Sequence, residues 1–276
     1  MQRIDILLPA RDAGYAPMAA EWFADYRAIL ARHGFAAEAR PWTEGAGTAP
    51  ALALLAWGYH AELNGWDALL NGWPAGLPLL NPPELMRWNT RKTYLRDFAA
   101  AGVPTVPTIF GDADARAVAA AFDALGAEEL VVKPQVSAGS DRTVRVKHGD
   151  PVEPLADAMI QPFLPAIGQE GEFSLFYFGG TWSHAVRKGA AADDFRVQPQ
   201  FGSLIEGWTP GEEARATADA VVAAAPPGAL YARVDLVRAP DGKLALIEYE
   251  AIEPDLYFRY DAEAGDRFAH ALRAAL

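Results

Sequence analysis

Near its C-terminal end the chain runs Leu-Tyr-Ala-Arg-Val-Asp-Leu-Val over 230–237, passes an Asp241-Gly242 dipeptide, and continues Leu-Ala-Leu-Ile-Glu-Tyr-Glu over 244–250. Two alternating runs around Asp-Gly predict a β-hairpin. A two-residue loop at that dipeptide sets Asp235 opposite Glu248 and Arg233 opposite Glu250. A four-residue loop gives the same pairs, whereas an odd loop flips one strand. Carboxylates that face each other across a strand pair repel, so the arrangement is costly unless something positive sits between them. The other face, with Val234, Leu236, Ile247 and Tyr249, is core chemistry. A solvated edge hairpin is the alternative, but Val237 and Leu246 share the acidic face, which is therefore not simply wet. A cation over that face is the economical reading.

Composition narrows what such a site can serve. A net charge of −12 with only 24 Lys and Arg argues against a nucleic-acid binder, which needs clustered cations for phosphates. A nucleotide site needs only a few. The absence of cysteine excludes disulfides and thiolate metal sites and fits the cytoplasm. No run approaches the roughly 18 uninterrupted apolar residues of a membrane span, and the first residues read as a strand, not a secretory leader. With 276 residues, 51% of them hydrophobic, the chain can build two or three lobes with real cores.

Residues 1–80 alternate strand and helix patterns and predict an open, mostly parallel α/β unit. Strands are expected at 4–8, 35–40 and 51–57, a helix at 17–33 closed by Gly34, and a short helix at 62–70. Asn81-Pro82-Pro83 breaks the chain and starts another helix. Further helices cover about 90–101 and 114–125, and 129–133 is an apolar strand that ends in Lys133. From 159 onward strands dominate, at 159–161, 172–178 and 181–187 besides the hairpin, with helices at 209–225 and 266–276. The fold class is α/β (α+β), with an N-terminal α/β lobe, a central lobe, and a C-terminal lobe on an antiparallel sheet.

Several segments carry candidate chemistry, each with a plainer alternative. Lys133 leads into Pro-Gln-Val-Ser-Ala-Gly-Ser (134–140), whose small residues let backbone amides approach an anion; the same letters make an ordinary hairpin turn. It is not a Walker loop, since no Gly-Lys-Ser/Thr opens a helix there. Lys92 lies at a predicted helix start near Arg87 and Arg91, and read alone is a surface lysine. The run 159–165 passes from a strand into a proline-stiffened connector that could read the edge of a flat ligand or serve as a rigid linker. Arg187, Lys188 and Arg196 cluster in a chain short of cations and suit phosphoryl or carboxylate binding, or pairing with Asp193 and Asp194. Trp57 to His60 and the tryptophans up to Trp73 line a pocket or pack a core. No triad with a nucleophile is evident.

In this order the pieces resemble the ATP-grasp superfamily: Lys92, Lys133 before a small-residue loop, Gln161-Pro-Phe-Leu164 with Glu172, Arg233-x-Asp235, and Glu248-x-Glu250. The resemblance implies an ATP-grasp fold, with a pre-grasp domain at 1–88, a central lid lobe at 89–160 and a metal-bearing lobe at 161–276. It implies that Lys92 and Lys133 hold the α- and β-phosphates, and that Ser137, Gly139 and Ser140 cover the triphosphate. Gln161, Pro162, Phe163 and Leu164 would read adenine, with Glu172 on the ribose. Asp235, Glu248 and Glu250 would hold two magnesium ions, with manganese as an alternative. Glu250 departs from the asparagine common at the third position. Arg233 matches the arginine that stabilises transferring phosphoryl charge in D-alanine–D-alanine ligases, and Arg187 and Arg196 would assist it.

Within the superfamily the chain is similar to the group around the cyclo-ligase of D-cycloserine biosynthesis. The shared phrases are Arg87-Trp-Asn-Thr-x-Lys92, Val132-Lys-Pro-x-Val-Ser-Ala-Gly139, Ser183-His-Ala-Val-Arg-Lys188, Phe195-Arg-Val-Gln198 and Tyr231-Ala-Arg-Val-Asp-Leu236. This implies an ATP-dependent ligase that joins nitrogen to an activated carbon of a small amino-acid-like substrate, with Tyr59, His60 and Lys188 as substrate contacts. The alternatives are a ligase of glutathione-synthetase or D-alanine–D-alanine type, a small-molecule kinase, or a silent ATP-binding module. Neither nucleic acid nor membrane is expected as a partner; ligases of this kind are often homodimers.

Overall fold

The computed structural model describes residues 1–189, 202 and 204–276. The strands are β1 (Gln2–Leu8), β2 (Phe35–Pro41), β3 (Ala51–Leu52), β4 (Leu79–Leu80), β5 (Ile109–Ala113), β6 (Glu129–Pro134), β7 (Val144–Lys147), β8 (Leu155–Pro162), β9 (Glu172–Phe178), β10 (Thr181–Gly189), β11 (Leu204–Gly207), β12 (Tyr231–Arg238) and β13 (Leu244–Glu250). The helices are α1 (Ala16–Arg32), α2 (Leu63–Asn71), α3 (Pro83–Thr90), α4 (Tyr94–Ala100), α5 (Ala115–Leu125), α6 (Ala166–Gln169), α7 (Glu212–Ala224) and α8 (Ala264–Ala274). Three sheets result, ordered β2-β1-β3-β4, β5-β8-β6-β7 and β11-β10-β9-β12-β13.

The first sheet is parallel throughout, as the alternation of strands and helices predicts. The expected strand at 51–57 stops at Leu52. Ala53 to Ala56 are fully buried in a turn in which the Ala56 amide donates to the Ala53 carbonyl at 3.0 Å. A short apolar run marks burial but does not separate a strand from a buried turn. Lys92 likewise stands in the turn between α3 and α4, not on a helix; Arg91 before it is extended. Helix α5 matches its prediction through its caps: Asp114 accepts from the Ala117 amide at 2.7 Å, and Gly126 is left-handed.

The first and third sheets share a core. Ile4, Ile6, Tyr26, Leu30 and Phe35 pack with Phe176, Phe178, Tyr231 and Phe268, so α8 closes the chain back onto its N-terminal lobe. The second sheet and α5 have their own small core around Val118, Phe122, Leu130, Val132 and Ile160. β8 carries Gln161 and Pro162 with this sheet, just beyond the expected boundary at 160. The linker into it is stitched to β13: Leu246 donates to the Pro104 carbonyl at 2.8 Å and accepts from the Val106 amide at 3.0 Å. That pairing covers the outer edge of β13.

Candidate active site

Arg233 pairs with Glu250 and Asp235 with Glu248, as the sequence predicts, but loop parity is not the reason. Arg238 pairs with Leu244, which leaves the odd loop 239–243, and a bulge between Asp235 and Leu236 cancels the extra residue. The bulge makes two neighbours exchange faces. Leu246 joins the apolar core beside Leu236, while Ile247 turns to the acidic side.

On that side Asp235, Glu248 and Glu250 each offer an oxygen within 4.8 Å of the others. Asp235 is buried and its partners half-buried. Arg233 lies across them, donating to Asp235 at 2.8–3.1 Å and to Glu250. Burial alone would raise Asp235, but Arg233 and Lys188 outweigh it and hold the carboxyl at about 2. Burial pushes Glu250 up to about 7, and the charges of Glu248 and Asp235 add to this against Arg233. Crowded all-oxygen ligands suit a hard divalent cation such as Mg2+, which would relieve the repulsion.

Two lysines face the carboxylates, one from the turn between α3 and α4 and one from the end of β6. Lys92 Nζ lies 3.2 Å from Glu248 and donates to the Ser137 carbonyl at 2.9 Å. Its amide donates to the Gln135 carbonyl at 2.9 Å, which ties the turn to the end of β6. Lys133, at that same end, has its pKa lowered by burial. Glu248 is held below the ordinary carboxylate range because Lys92 and Lys133 outweigh its burial. The small-residue loop follows directly; Gly139 and Ser140 are both left-handed, which turns the backbone over the cavity.

All of these groups line one cavity of about 960 Å³. One end is formed by Val106, Val131, Ile247 and the segment Gln161 to Leu164. There the Gln161 amide donates to Thr108 Oγ1 at 2.8 Å, and Arg145 stacks 3.7 Å over the Phe163 ring. Glu172 is buried and pairs with Lys188, which also stands 3.4 Å from Asp235. Lys188 thus joins the ribose and metal candidates, away from the expected substrate contacts Tyr59 and His60. Those two line the same cavity, Tyr59 near the charges of Glu253, Glu250 and Glu248 and His60 near Asp141 and Lys92, and the buried His60 Nδ1 has no hydrogen-bond partner among the described residues.

Arg187 does not enter the cavity. Strand alternation turns it away from Lys188 toward the Glu170 carbonyl and Glu206. Arg196 lies outside the described residues. Several residues at the site had no signal in the motifs. Glu253 lines the cavity beyond Glu250, and burial pushes it up to about 8. Asn89 clamps β13 from behind through the Tyr249 carbonyl at 2.7 Å and the Ala251 amide at 2.8 Å. Asn81 binds the backbone of Leu230, Tyr231 and Ala251. Side-chain amides that read backbone have no fixed spacing; only the Pro-rich break and the Arg-Trp-Asn-Thr phrase pointed near them.

No protein-family model matches the chain. Over 220 residues it is 33% identical to the cycloserine biosynthesis protein DcsG of Streptomyces lavendulae, covering 72% of this chain and 73% of that protein. The crystal structure of D-cycloserine synthetase DcsG superposes with a TM-score of 0.83 at 26% identity, over 99% of this chain and 100% of the other. A D-alanine–D-alanine ligase from Bacillus anthracis superposes with a TM-score of 0.71 at 17% identity, over 100% and 99% of the two chains. The ATP-grasp ligase PsnB, solved with its minimal precursor, gives 0.68 at 17% identity over the same shares. These last two likenesses show the fold alone. Among the described residues no helix is long and apolar enough to cross a membrane.

Proposed function

Because the chain belongs to the ATP-grasp ligases, in the family of the cycloserine biosynthesis protein DcsG, we propose that its cavity activates an oxygen of a small amino-acid-like substrate for ring closure. The chain is an ATP-dependent, C–N bond-forming ligase that uses ATP and Mg2+. The observation that carries the assignment of residues is the set Asp235, Glu248 and Glu250 facing Lys92 and Lys133 across one cavity.

The three carboxylates would hold two magnesium ions, which supply Lewis-acid neutralisation of β- and γ-phosphate charge. Lys92 and Lys133 would bind phosphate oxygens, and the loop with Ser137, Gly139 and Ser140 would cover them. Gln161 to Leu164 would take the adenine, and Glu172, paired with Lys188, the ribose. A substrate carboxylate or carbonyl oxygen attacks the γ-phosphorus and ADP leaves. A nitrogen of the same substrate then attacks the activated carbon and expels phosphate. Arg233 would stabilise negative charge in both steps. No protein nucleophile is needed, which suits a chain without cysteine. Within 89–160 the part with its own core, Ala113 to Ile160, would act as a lid that keeps water from the acyl phosphate, whereas Tyr94, Leu95, Phe98 and Val103 pack into the core of the third sheet. A cytoplasmic setting suits this chemistry.

The test is ADP release over amino acids, ureido-amino acids and small peptides, with product analysis. Glu248→Ala should abolish ATP turnover while circular dichroism and melting show a folded protein. Full activity in that variant would remove the metal assignment. A stable phosphorylated product without a new C–N bond would instead make the enzyme a kinase.

A further inference from the structure

The cavity is polarised in charge. Its phosphate side is cationic, with Lys92, Lys133, Lys188 and Arg233. Around Glu253 the cavity is lined by Tyr15, Trp22, Trp57 and Tyr257, with Asp255 as a second carboxylate. Arg233 and Lys92 act on Glu253 through their charge without bonding it, and Arg259 lies 4.8 Å over the Tyr257 ring while pairing with Asp255. The rings are set edge to face: Trp22 meets Trp57 at 5.1 Å between centroids, and Tyr15 meets Trp57 at 6.5 Å. Gly58 makes that wall attainable, since a Cβ there would meet the Tyr15 hydroxyl at 1.8 Å.

The two carboxylates differ in what they are bound to. Asp255 is committed to its own loop, accepting from the Tyr257 amide at 2.8 Å and pairing with Arg259 at 3.1 Å. Glu253 has no hydrogen bond or ion pair among the described residues. A carboxylate in an aromatic-walled recess with no cation bonded to it is expensive to keep. Ring faces together with a carboxylate are the recognition chemistry of an organic ammonium.

We propose that this end is the specificity pocket of the enzyme, and that Glu253 binds a primary ammonium group of the acceptor substrate against the rings of Tyr15 and Trp57. The proposal rests on the ligase reading above and adds which end of the substrate is read and by what. The charged groups of the substrate then align with the cavity: its ammonium at Glu253, and the oxygen to be phosphorylated at the metal and lysine side. An N-acylated or deaminated analogue meets Glu253 with nothing to offer it and is rejected.

The experiment uses the full chain with D- and L-serine, their O-ureido derivatives, and D- and L-dialanine, each beside its N-acetyl form. ADP release is measured, together with tryptophan fluorescence of the probes binding in the presence of a non-hydrolysable ATP analogue and Mg2+. A free-amine member should bind and turn over, and its N-acetyl form should lose activity by on the order of 100-fold. Glu253→Gln should raise KM for the amine by roughly 30-fold and leave the affinity for the ATP analogue unchanged. Glu253→Asp should recover part of that loss, which a purely structural role would not produce. Equal turnover of amine and N-acetyl forms, or an unchanged KM in Glu253→Gln, overturns the proposal. So does nucleotide binding with no response to any amine. Failure to bind the nucleotide at all would overturn the ligase reading itself.

Discussion

His184 lies beneath the loop that carries Glu253 and Asp255. Its Nε2 is 2.9 Å from the Leu256 carbonyl, so Nε2 holds the proton and Nδ1 accepts from Ser183 Oγ at 2.9 Å. The ring stacks on Phe176 at 4.4 Å, and burial pushes its pKa down to about 4. The folded state therefore binds fewer protons than the unfolded chain between about pH 4 and the ordinary histidine range near 6.5. This contribution to stability is full above that range and is lost as pH falls toward 4. Between pH 7 and 5 it should cost the protein on the order of 2 kcal/mol, read as a drop in urea midpoint. His184→Gln should be less stable at pH 7 but lose less on acidification; an equal loss would clear His184 of the effect. At this scale the sequence was most informative about charges that recur at alternate positions. It separated Asp235, Glu248 and Lys133 from the background but could not say which of Arg187 and Lys188 turns inward. That depends on where β10 meets β9, a tertiary fact.

The acidic hairpin shows how an element can be right for a reason the sequence does not display. Its strands and its acidic pairs were legible because alternation and Asp-Gly are local signals. The bulge was not, since it balances an odd loop against an extra residue several positions away. Alternation alone therefore puts Ile247 and Leu246 on the wrong faces. What fixes the hairpin relative to the rest of the site is Asn89, which grips the peptide groups on both sides of Glu250. Asn89→Ala leaves a buried carbonyl and a buried amide unpaired and should destabilise the protein by about 2–3 kcal/mol. If Asn89 positions Glu250, the variant should also lose about tenfold in the Mg2+-dependent part of nucleotide binding, measured by calorimetry with and without the metal. Metal-independent binding should stay as it was.

Across the whole molecule, the first and third sheets share one core and form a base, and the second sheet with α5 is a unit with a core of its own. Phe122 is buried in that unit and stacks on His148 at 3.8 Å. Phe122→Ala should cost about 3–5 kcal/mol within that unit. Limited proteolysis should then cut within 109–162 while the base resists; uniform cleavage would show a single cooperative unit. The change from a parallel first sheet to antiparallel sheets is visible in the sequence as a change from mixed to strand-rich patterning. The return of α8 onto the N-terminal lobe is not, because no local pattern announces a contact between the two ends of a chain. The stitched linker has a mechanical consequence. Residues 104–106 are bonded to Leu246, two positions from Glu248, so they move with it, and a swing of the lid proposed above would have to pivot beyond Val106. The next anchored point is Thr108, bonded to both the Val106 carbonyl and Gln161. The axle of the proposed lid would thus run along the end of the cleft lined by Gln161 to Leu164, where a bound purine would act as its bearing.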